Sequence, residues 1–588
     1  MSQPSSNQSS ADETGVVDPE LSAERQELRD LAGKPTSSRL GYYFKRSGPG
    51  WLQGAITLGG GSLAGAMYLG VIAGFGMMWL QPLAMILGVI MLSAIAYVTL
   101  STGQRPFRAI NEHVSPVLGW AWLIAAGMAN IVWCMPQFNL ARAALQQNIA
   151  PPLADVEGGA SIYGIGANSI AILVCLLLVA WVVNFLYQRG SKGVRVFENI
   201  LKVMVAAIVL SFAGVVLALT FSGTLNWGQV FAGFIPDFSL VTQPAEAFRS
   251  TVAATGEFAG FWTDQITSEQ RDRMITAFGT AVGINMTFLL PYSMLRRRWG
   301  KEHRGLAIFD LSLGLIIPFV LATGCVIIAA ASQFHAQTGD IFEEDGSVRP
   351  AMANAFHSVL DHRLAVEFDD PEAFEALQED EVALAAARAA LSPADRDVAA
   401  MLVGRNNFAL ASSLEPLTNE FVAQKVFGFG VLGMALSTII MLMLINGFVF
   451  CEMFNRPGDT KIHMLGATVS GVGGFFGPFI WGTDAAEIAL AVPTSVIGGS
   501  MIPIAYFTFF LMMNSRSLLG SSMPTGIRRV WWNLLMSVAT LVGLVGSVWV
   551  LLSKGIAGQI GVGLLVLLMI IGVLGFLKRQ SQHARGNN

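Results

Sequence analysis

The chain has 588 residues, of which 53% are hydrophobic and 13% charged, and its net charge is −4. Soluble domains carry about 25% charged residues. Half that value, with 62 glycines and 37 phenylalanines, excludes an ordinary soluble enzyme or nucleic-acid-binding module and points to an all-α polytopic membrane protein whose first partner is the lipid bilayer.

Residues 1–45 are mainly polar and lack the apolar core of a signal peptide. They read as a disordered cytoplasmic tail. A membrane span needs about 20 apolar residues. Twelve stretches qualify: 50–71, 77–99, 116–145, 169–187, 196–221, 274–295, 306–331, 426–450, 462–481, 485–513, 531–552 and 556–577. Spans one to five fall within 46–221. A loop, 222–273, follows. Spans six to ten fall within 274–513 and are interrupted by an acidic insertion at 332–425. Spans eleven and twelve occupy 514–577, and 578–588 form a second tail.

Twelve spans place both termini on one face. The basic residues gather there: Arg105 and Arg108, Arg189, Lys192 and Arg195, and the run Arg296, Arg297, Arg298, Lys301 and Arg304. The loops between spans one and two, three and four, and nine and ten contain no Lys or Arg. The positive-inside rule therefore predicts cytoplasmic termini in a cell (inner) membrane. The insertion reads as a small helical extracytoplasmic cap. Asp370 before Pro371, and Ser392 before Pro393, have the form of helix starts. Four cysteines show no metal-ligand spacing and read as buried free thiols.

The first span contains "ITLGGGSLAG". Each glycine costs a helix interior roughly 1 kcal/mol relative to alanine. A membrane helix breaks only where its freed backbone groups find partners, and broken helices at mid-depth form transporter sites. A break is expected at Gly59, Gly60 and Gly61, up to Ser62. The sixth span contains "NMTFLLPYSM". Pro291 removes a donor and frees the carbonyl of Thr287, so a second break is expected at Thr287–Pro291. The two spans are five apart, the spacing of two inverted five-span repeats. Close helix packing through the glycines, and a simple kink at the proline, are the alternative readings.

"GPGWLQGAITLGGGSLAGAMYLG" resembles the first helix of the Nramp family of proton-coupled divalent metal transporters. "LLPYSMLRRRW" resembles that family's sixth helix, "GLAIFDLSLGLIIPF", with Asp310, its seventh, and "GVRVFENILKV", with Glu198, its fifth. The resemblance implies a LeuT-type fold, a 5+5 inverted repeat plus two further helices. It also implies a metal site. The family's Asp-Pro-Gly-Asn falls on Gly59–Ser62, and its Met-Pro-His on Leu290, Pro291 and Tyr292. The ligand positions are thus Gly59, Ser62 and Leu290, where a carboxylate, an amide oxygen and a thioether are all missing. Tyr292 stands where the family has a proton-linked histidine.

The expected substrate-binding set is Thr57, Gly59, Ser62, Asn285, Thr287, Leu290 and Tyr292, with the freed carbonyls. Its oxygens are neutral, and a bare divalent ion among them would be poorly compensated for its lost hydration. A hydrated hard ion such as magnesium suits the set better; so does a neutral or zwitterionic solute. The missing thioether removes a preference for softer metals. Glu198 and Asp310 are expected near the cytoplasmic ends of their spans, in structural or gating ion pairs with Arg195 or Arg304. No acidic residue stands at mid-depth, so no proton relay is visible.

These residues lead to a secondary transporter moving a divalent metal cation by alternating access. The alternatives are a same-fold transporter of a small organic solute and a non-transporting sensor. A sensor usually carries a large cytoplasmic domain, which the short second tail does not provide. A phosphate-binding GxxxxGK[ST] loop is absent, against an ATP-driven pump. No catalytic constellation or resident cofactor is expected.

Overall fold

A computed structural model describes residues 19–586, except 32, 157, 369–370, 406, 418 and 482–485. All twelve apolar stretches form helices. The first span is two helices, Pro49–Thr57 and Gly60–Ala73, bent by 55°. The sixth is also two, Ala259–Ala281 and Ile284–Arg296. The others are Leu80–Thr102, Pro116–Ala143 with a π-helical turn Ala144–Ile149, Ala167–Tyr187, Gly190–Phe221, Lys301–Phe334, Phe421–Met453, Thr460–Phe475, Ala486–Met513, Gly526–Leu552 and Gly555–Gly586. The eighth span is 78% buried over its most apolar stretch and the twelfth only 11%. The eighth is therefore the central post, and the last two lie at the periphery.

Three sequence expectations are corrected. Within 1–45, residues Pro19–Leu31 and Thr36–Arg46 are helices. The first docks on the loop after the sixth span: Leu28 and Leu31 are buried, Arg29 pairs with Glu302 at 2.9 Å, and Arg25 donates to Arg298 O at 3.0 Å. The last helix runs on to Gly586, through the expected tail. The sixth span begins at Ala259, not 274. Its first half carries Asp264, Glu269, Arg271, Asp272 and Arg273, and these polar residues hide it from an apolar-run criterion. The insertion is helical over Pro350–Ala365, Pro371–Glu379, Glu381–Ala390, Pro393–Leu402 and Asn407–Leu414. Ser392 caps the fourth of these by accepting from Asp395 N. Asp370 lies outside the described residues.

Contacts of Arg25 with Arg298 and of Arg579 with Asn111 O (3.4 Å) put both termini beside the loops after spans two and six. We call this the terminal face and the opposite side the insertion face. On the terminal side, the short helix Pro49–Thr57 is locked to the seventh span. A Cβ on Gly50 would lie 2.1 Å from Asp310 O, and one on Gly54 would lie 2.4 Å from Gly314 O. Only glycine permits this approach. Gly314 sits in a π-helical turn, Ser312–Ile316, where the seventh span widens.

Asp310 makes no ion pair with Arg195 or Arg304. It reaches across to cap the other helix, accepting from Gly48 N (2.8 Å) and Gly50 N (2.6 Å). These are among the donors that a helix start leaves unpaired, and the carboxylate also opposes the positive end of the helix dipole. Glu198 pairs with Arg297, not with Arg195 or Arg304; Arg297 Nε donates to it at 2.8 Å. The Arg297 guanidinium lies where a Gly48 side chain would be. Spans five, six and seven therefore converge on the entry to the first span.

Two substitutions test this dock by thermal unfolding in detergent. Gly54→Val should lower the melting temperature sharply, whereas Gly65→Ala, whose Cβ meets nothing within 4 Å, should leave it unchanged or slightly raised. Asp310→Ala should cost about 1 kcal/mol or more, the typical value of a lost helix cap, with Asp310→Asn in between.

Candidate functional site

The two breaks face each other. In the first span the chain leaves the helix at Leu58 (φ −82°, ψ 67°) and is extended at Gly59 (φ −118°, ψ 179°). Of the three glycines only Gly59 lies in the break; Gly60, Gly61 and Ser62 form the next helix's first turn. Gly59 is required by space, not by its dihedral angles. A Cβ there would lie 2.7 Å from Thr438 Oγ1 on the eighth span. Gly60 is crowded likewise, its Cβ position 2.8 Å from Leu140 Cδ2, and its N–H donates to Gln137 Oε1 at 2.9 Å.

The second break lies at Val282 (φ −138°, ψ 102°) and Gly283 (φ −80°, ψ 165°), upstream of the expected Thr287–Pro291. Pro291 is accommodated inside the helix Ile284–Arg296. The deciding feature is Gly283. A side chain there would strike Trp133, with Cη2 2.5 Å from the Cβ position, and the preceding β-branched valine favours extended backbone.

Hydroxyls join the broken ends. Thr57 Oγ1 donates to Ala281 O at 2.5 Å, across from the first span to the sixth. Ser62 Oγ donates to Thr57 O at 2.6 Å. Buried Gln53 donates to Met286 O at 3.3 Å. Ser437, on the eighth span, donates to Ala55 O at 3.0 Å. The breaks thus find their partners in each other and in spans three and eight.

Between them lies a cavity of about 60 Å³, room for about four water molecules. Thr57, Gly59 and Ser62 line it from the first span, Trp133, Pro136 and Gln137 from the third, Gly283, Asn285 and Met286 from the sixth, and Thr438 and Leu442 from the eighth. Two helix C-termini, at Thr57 and Ala281, and two N-termini, at Gly60 and Ile284, end around it. Carbonyl ends favour cations and N–H ends favour anions. The described lining has no Asp, Glu, His or Cys. Among the described residues no group of three or more such side chains could hold a metal.

Of the residues expected from the sequence, Thr57, Gly59, Ser62 and Asn285 line this one cavity, and Thr287, Leu290 and Tyr292 are not among its lining residues. The Thr287 hydroxyl accepts from Trp122 Nε1 at 2.9 Å and donates to Ile284 O at 2.5 Å. Leu290 is buried in packing. Tyr292 stacks between Phe288 (4.6 Å) and Phe448 (5.8 Å). The reason is the register of the break. Moving it upstream carries Leu290 a turn below the cavity and brings in Met286. Sequence reasoning also missed Gln137 and Thr438 as lining residues. Gln137 beside Pro136 in an apolar span was a signal; a single threonine in the eighth span was not. Beneath the cavity, toward the terminal face, rings seal the way: Trp122 on Phe288 (4.6 Å), then Phe288, Tyr292, Phe448 and His463 in succession. Arg105 and Glu452 pair below them at 2.9 Å.

The profile of the family described as natural resistance-associated macrophage protein-like (Nramp) matches residues 50–360 and 384–553. The metal transporter Nramp2 of Populus trichocarpa is 28% identical over 168 residues, which span 28% of this chain and 28% of that protein. The crystal structure of a manganese transporter from Eremococcus coleocola, in complex with an aromatic bis-isothiourea substituted compound, superposes with a TM-score of 0.57 at 14% identity, covering 94% of this chain and 95% of that one. A structure of a substituted form of the same transporter gives 0.53 at 13% identity, covering 94% and 97%. The family match spans the broken spans, the cavity and most of the insertion, and this multi-pass integral membrane protein of LeuT-type fold belongs to the Nramp family.

Proposed function

We propose that the protein is a secondary transporter that carries a divalent metal cation, in partly hydrated form, through the cavity between spans one, three, six and eight by alternating access, with its termini in the cytoplasm. The observation that carries this reading is the cavity's neutral polar lining within an Nramp fold. Thr57, Ser62, Gln137, Asn285 and Thr438 offer oxygens, and the helix ends at Thr57 and Ala281 add carbonyl dipoles. Without a carboxylate, such a set repays little of the cost of stripping a divalent ion. An ion that keeps several of its waters suits it, and magnesium is the common ion that dehydrates most reluctantly. The cavity has room for a few of those waters. Met286 supplies a soft atom's residue, but no anionic ligand accompanies it to favour manganese or iron.

One observation favours a second reading, a small zwitterionic solute. Two helix N-termini end at the cavity beside the two C-termini, so the site has poles for both signs.

Proteoliposomes loaded with an ion-sensitive dye separate the two. Magnesium entry is expected, with Ser62→Ala and Asn285→Ala each slowing it several-fold. No response to magnesium, manganese, iron or calcium would overturn the metal reading. A second test supplies the missing charge. Gly59→Asp alone should be poorly accommodated, because Thr438 Oγ1 occupies its space. Paired with Thr438→Ala, it should tighten manganese binding at least tenfold, which is about 1.4 kcal/mol, as read by calorimetry. Unchanged binding by a folded double variant would place the ion elsewhere.

A further inference from the structure

The helix Thr36–Arg46 has an apolar edge that the protein leaves uncovered. Its sequence, TSSRLGYYFKR, gathers Arg39, Tyr42, Tyr43 and Arg46 on one side, and that side is packed. The Tyr43 ring meets that of Phe309 at 5.7 Å, and its hydroxyl lies 2.8 Å from where a Cβ on Gly305 would stand, at the start of the seventh span. Tyr42 donates its hydroxyl to Glu27 at 2.9 Å, and Arg46 lies 3.8 Å from both Glu24 and Glu27 of the preceding helix. Leu40 and Phe44, one turn apart and next to Tyr43 around the helix, are 44% and 63% exposed.

Contacts with three spans fix the depth of this helix. It ends three residues before Pro49, where the first span begins. Ser47 O accepts from Lys202 Nζ of the fifth span at 3.2 Å, and Ser47 Oγ from Trp51 Nε1 of the first at 3.2 Å. Tyr43 lies against the first turns of the seventh span, beside Ile308, which is itself exposed on that apolar helix. The helix therefore sits where these spans enter the bilayer, and rings with polar edges such as Trp51 and Tyr43 favour that layer.

Its charge is of one sign. Residues 31–48 contain Lys34, Arg39, Lys45 and Arg46 and no Asp or Glu. Arg46 is taken up by Glu24 and Glu27. Among the described residues no carboxylate pairs with Lys34, Arg39 or Lys45. Arg39 donates to Thr36 Oγ1 at 3.4 Å, and its Nε is buried without a partner. An apolar edge flanked by unpaired cations suits a helix lying along an anionic bilayer surface, its apolar side chains at the acyl boundary and its cations among the phosphates. Two apolar side chains would hold a free peptide only weakly. Tethered to the first span, the helix needs little affinity, because the connection keeps it at the surface at a high effective concentration.

We propose that the helix Thr36–Arg46 is an interfacial anchor in the leaflet on the terminal face, with Leu40 and Phe44 in the acyl boundary and Lys34, Arg39 and Lys45 holding the phosphates of anionic lipids. Because it runs through Ser47 and Gly48 into Pro49, what holds this helix also holds the entry of the first span. The anchor does not depend on what the protein carries.

The test reads depth. In full-length protein with Cys134, Cys175, Cys325 and Cys451 replaced by alanine, a nitroxide is attached at Phe44→Cys and, as a control on the polar edge, at Ser38→Cys. The protein is placed in nanodiscs of phosphatidylcholine, with and without phosphatidylglycerol. Relaxation by oxygen, which collects among acyl chains, is compared with relaxation by a nickel chelate, which stays in water. Oxygen should dominate at position 44 and nickel at position 38. Phosphatidylglycerol should raise the oxygen-to-nickel ratio at position 44 at least twofold, and Lys34→Gln, Arg39→Gln and Lys45→Gln together should abolish that rise. Nickel dominating at position 44 overturns the anchor. So does low access to both relaxants, which would mean that a second copy or another protein segment covers this edge. A ratio that phosphatidylglycerol leaves unchanged overturns the anionic-lipid contact. Should the cysteine-free protein fail to fold, hydrogen exchange in the unaltered protein decides. The amides of 36–46 should exchange several-fold more slowly with phosphatidylglycerol than without it, and equal rates overturn the proposal.

Discussion

Within a bilayer every backbone N–H and C=O must find a partner inside the protein, and this chain interrupts two spans at mid-depth, where no lipid can supply one. The rest of the architecture follows from how those interruptions are satisfied. Thr57 donates across to Ala281 O, Ser62 back to Thr57 O, and Gln137 accepts from Gly60 N. Each break supplies part of what the other lacks, and spans three and eight supply the rest. Two such breaks must be held within hydrogen-bonding distance. The glycines at 50, 54 and 314, the Asp310 cap and the Trp133 ring against Gly283 all serve that positioning.

The same geometry sets the chemistry. A cavity made from opposed helix ends carries partial charges of both signs and, in this chain, no full charge among its described lining residues. A site of that kind discriminates by size and hydration rather than by ligand strength. On the function proposed above, such a site suits hard, well-hydrated cations over soft ones. The charged residues are displaced to the periphery of the route. Arg105–Glu452 and Arg297–Glu198 lie toward the terminal face, and Arg405–Asp340 lies toward the insertion face. There an ion pair can hold helices together without competing for a cation at mid-depth.

Much of this was legible in the sequence. Each of the twelve apolar runs falls on helix among the described residues, because a run of about 20 apolar residues in a bilayer protein has to satisfy its backbone internally. "GGGS" marked the first break to within a residue, since three glycines in a span have few other uses. The sixth span misled. Pro291 looked like the breaker, but a proline in a helix's early turns is tolerated once the helix starts just upstream. The true break depends on Gly283 meeting Trp133, a contact between distant segments that no local pattern encodes. The same error put Leu290 where Met286 stands. It also shortened the sixth span, whose polar first half meets the insertion, Trp262 Nε1 donating to Asp395 Oδ1 at 2.6 Å. Asp310 looked like an ion-pair partner because nearby arginines are visible in sequence; backbone N–H groups of a distant glycine pair are not.

The central claim is that the cavity between the two breaks takes a divalent cation with part of its water shell, through neutral oxygens. A high-resolution structure of the protein saturated with magnesium tests it most directly. The account predicts an ion in the cavity, with waters about 2.1 Å from it relaying contacts to Thr57, Ser62, Gln137 or Asn285. A cavity that holds no ion under those conditions, or a magnesium bound by carboxylates elsewhere in the chain, would contradict it.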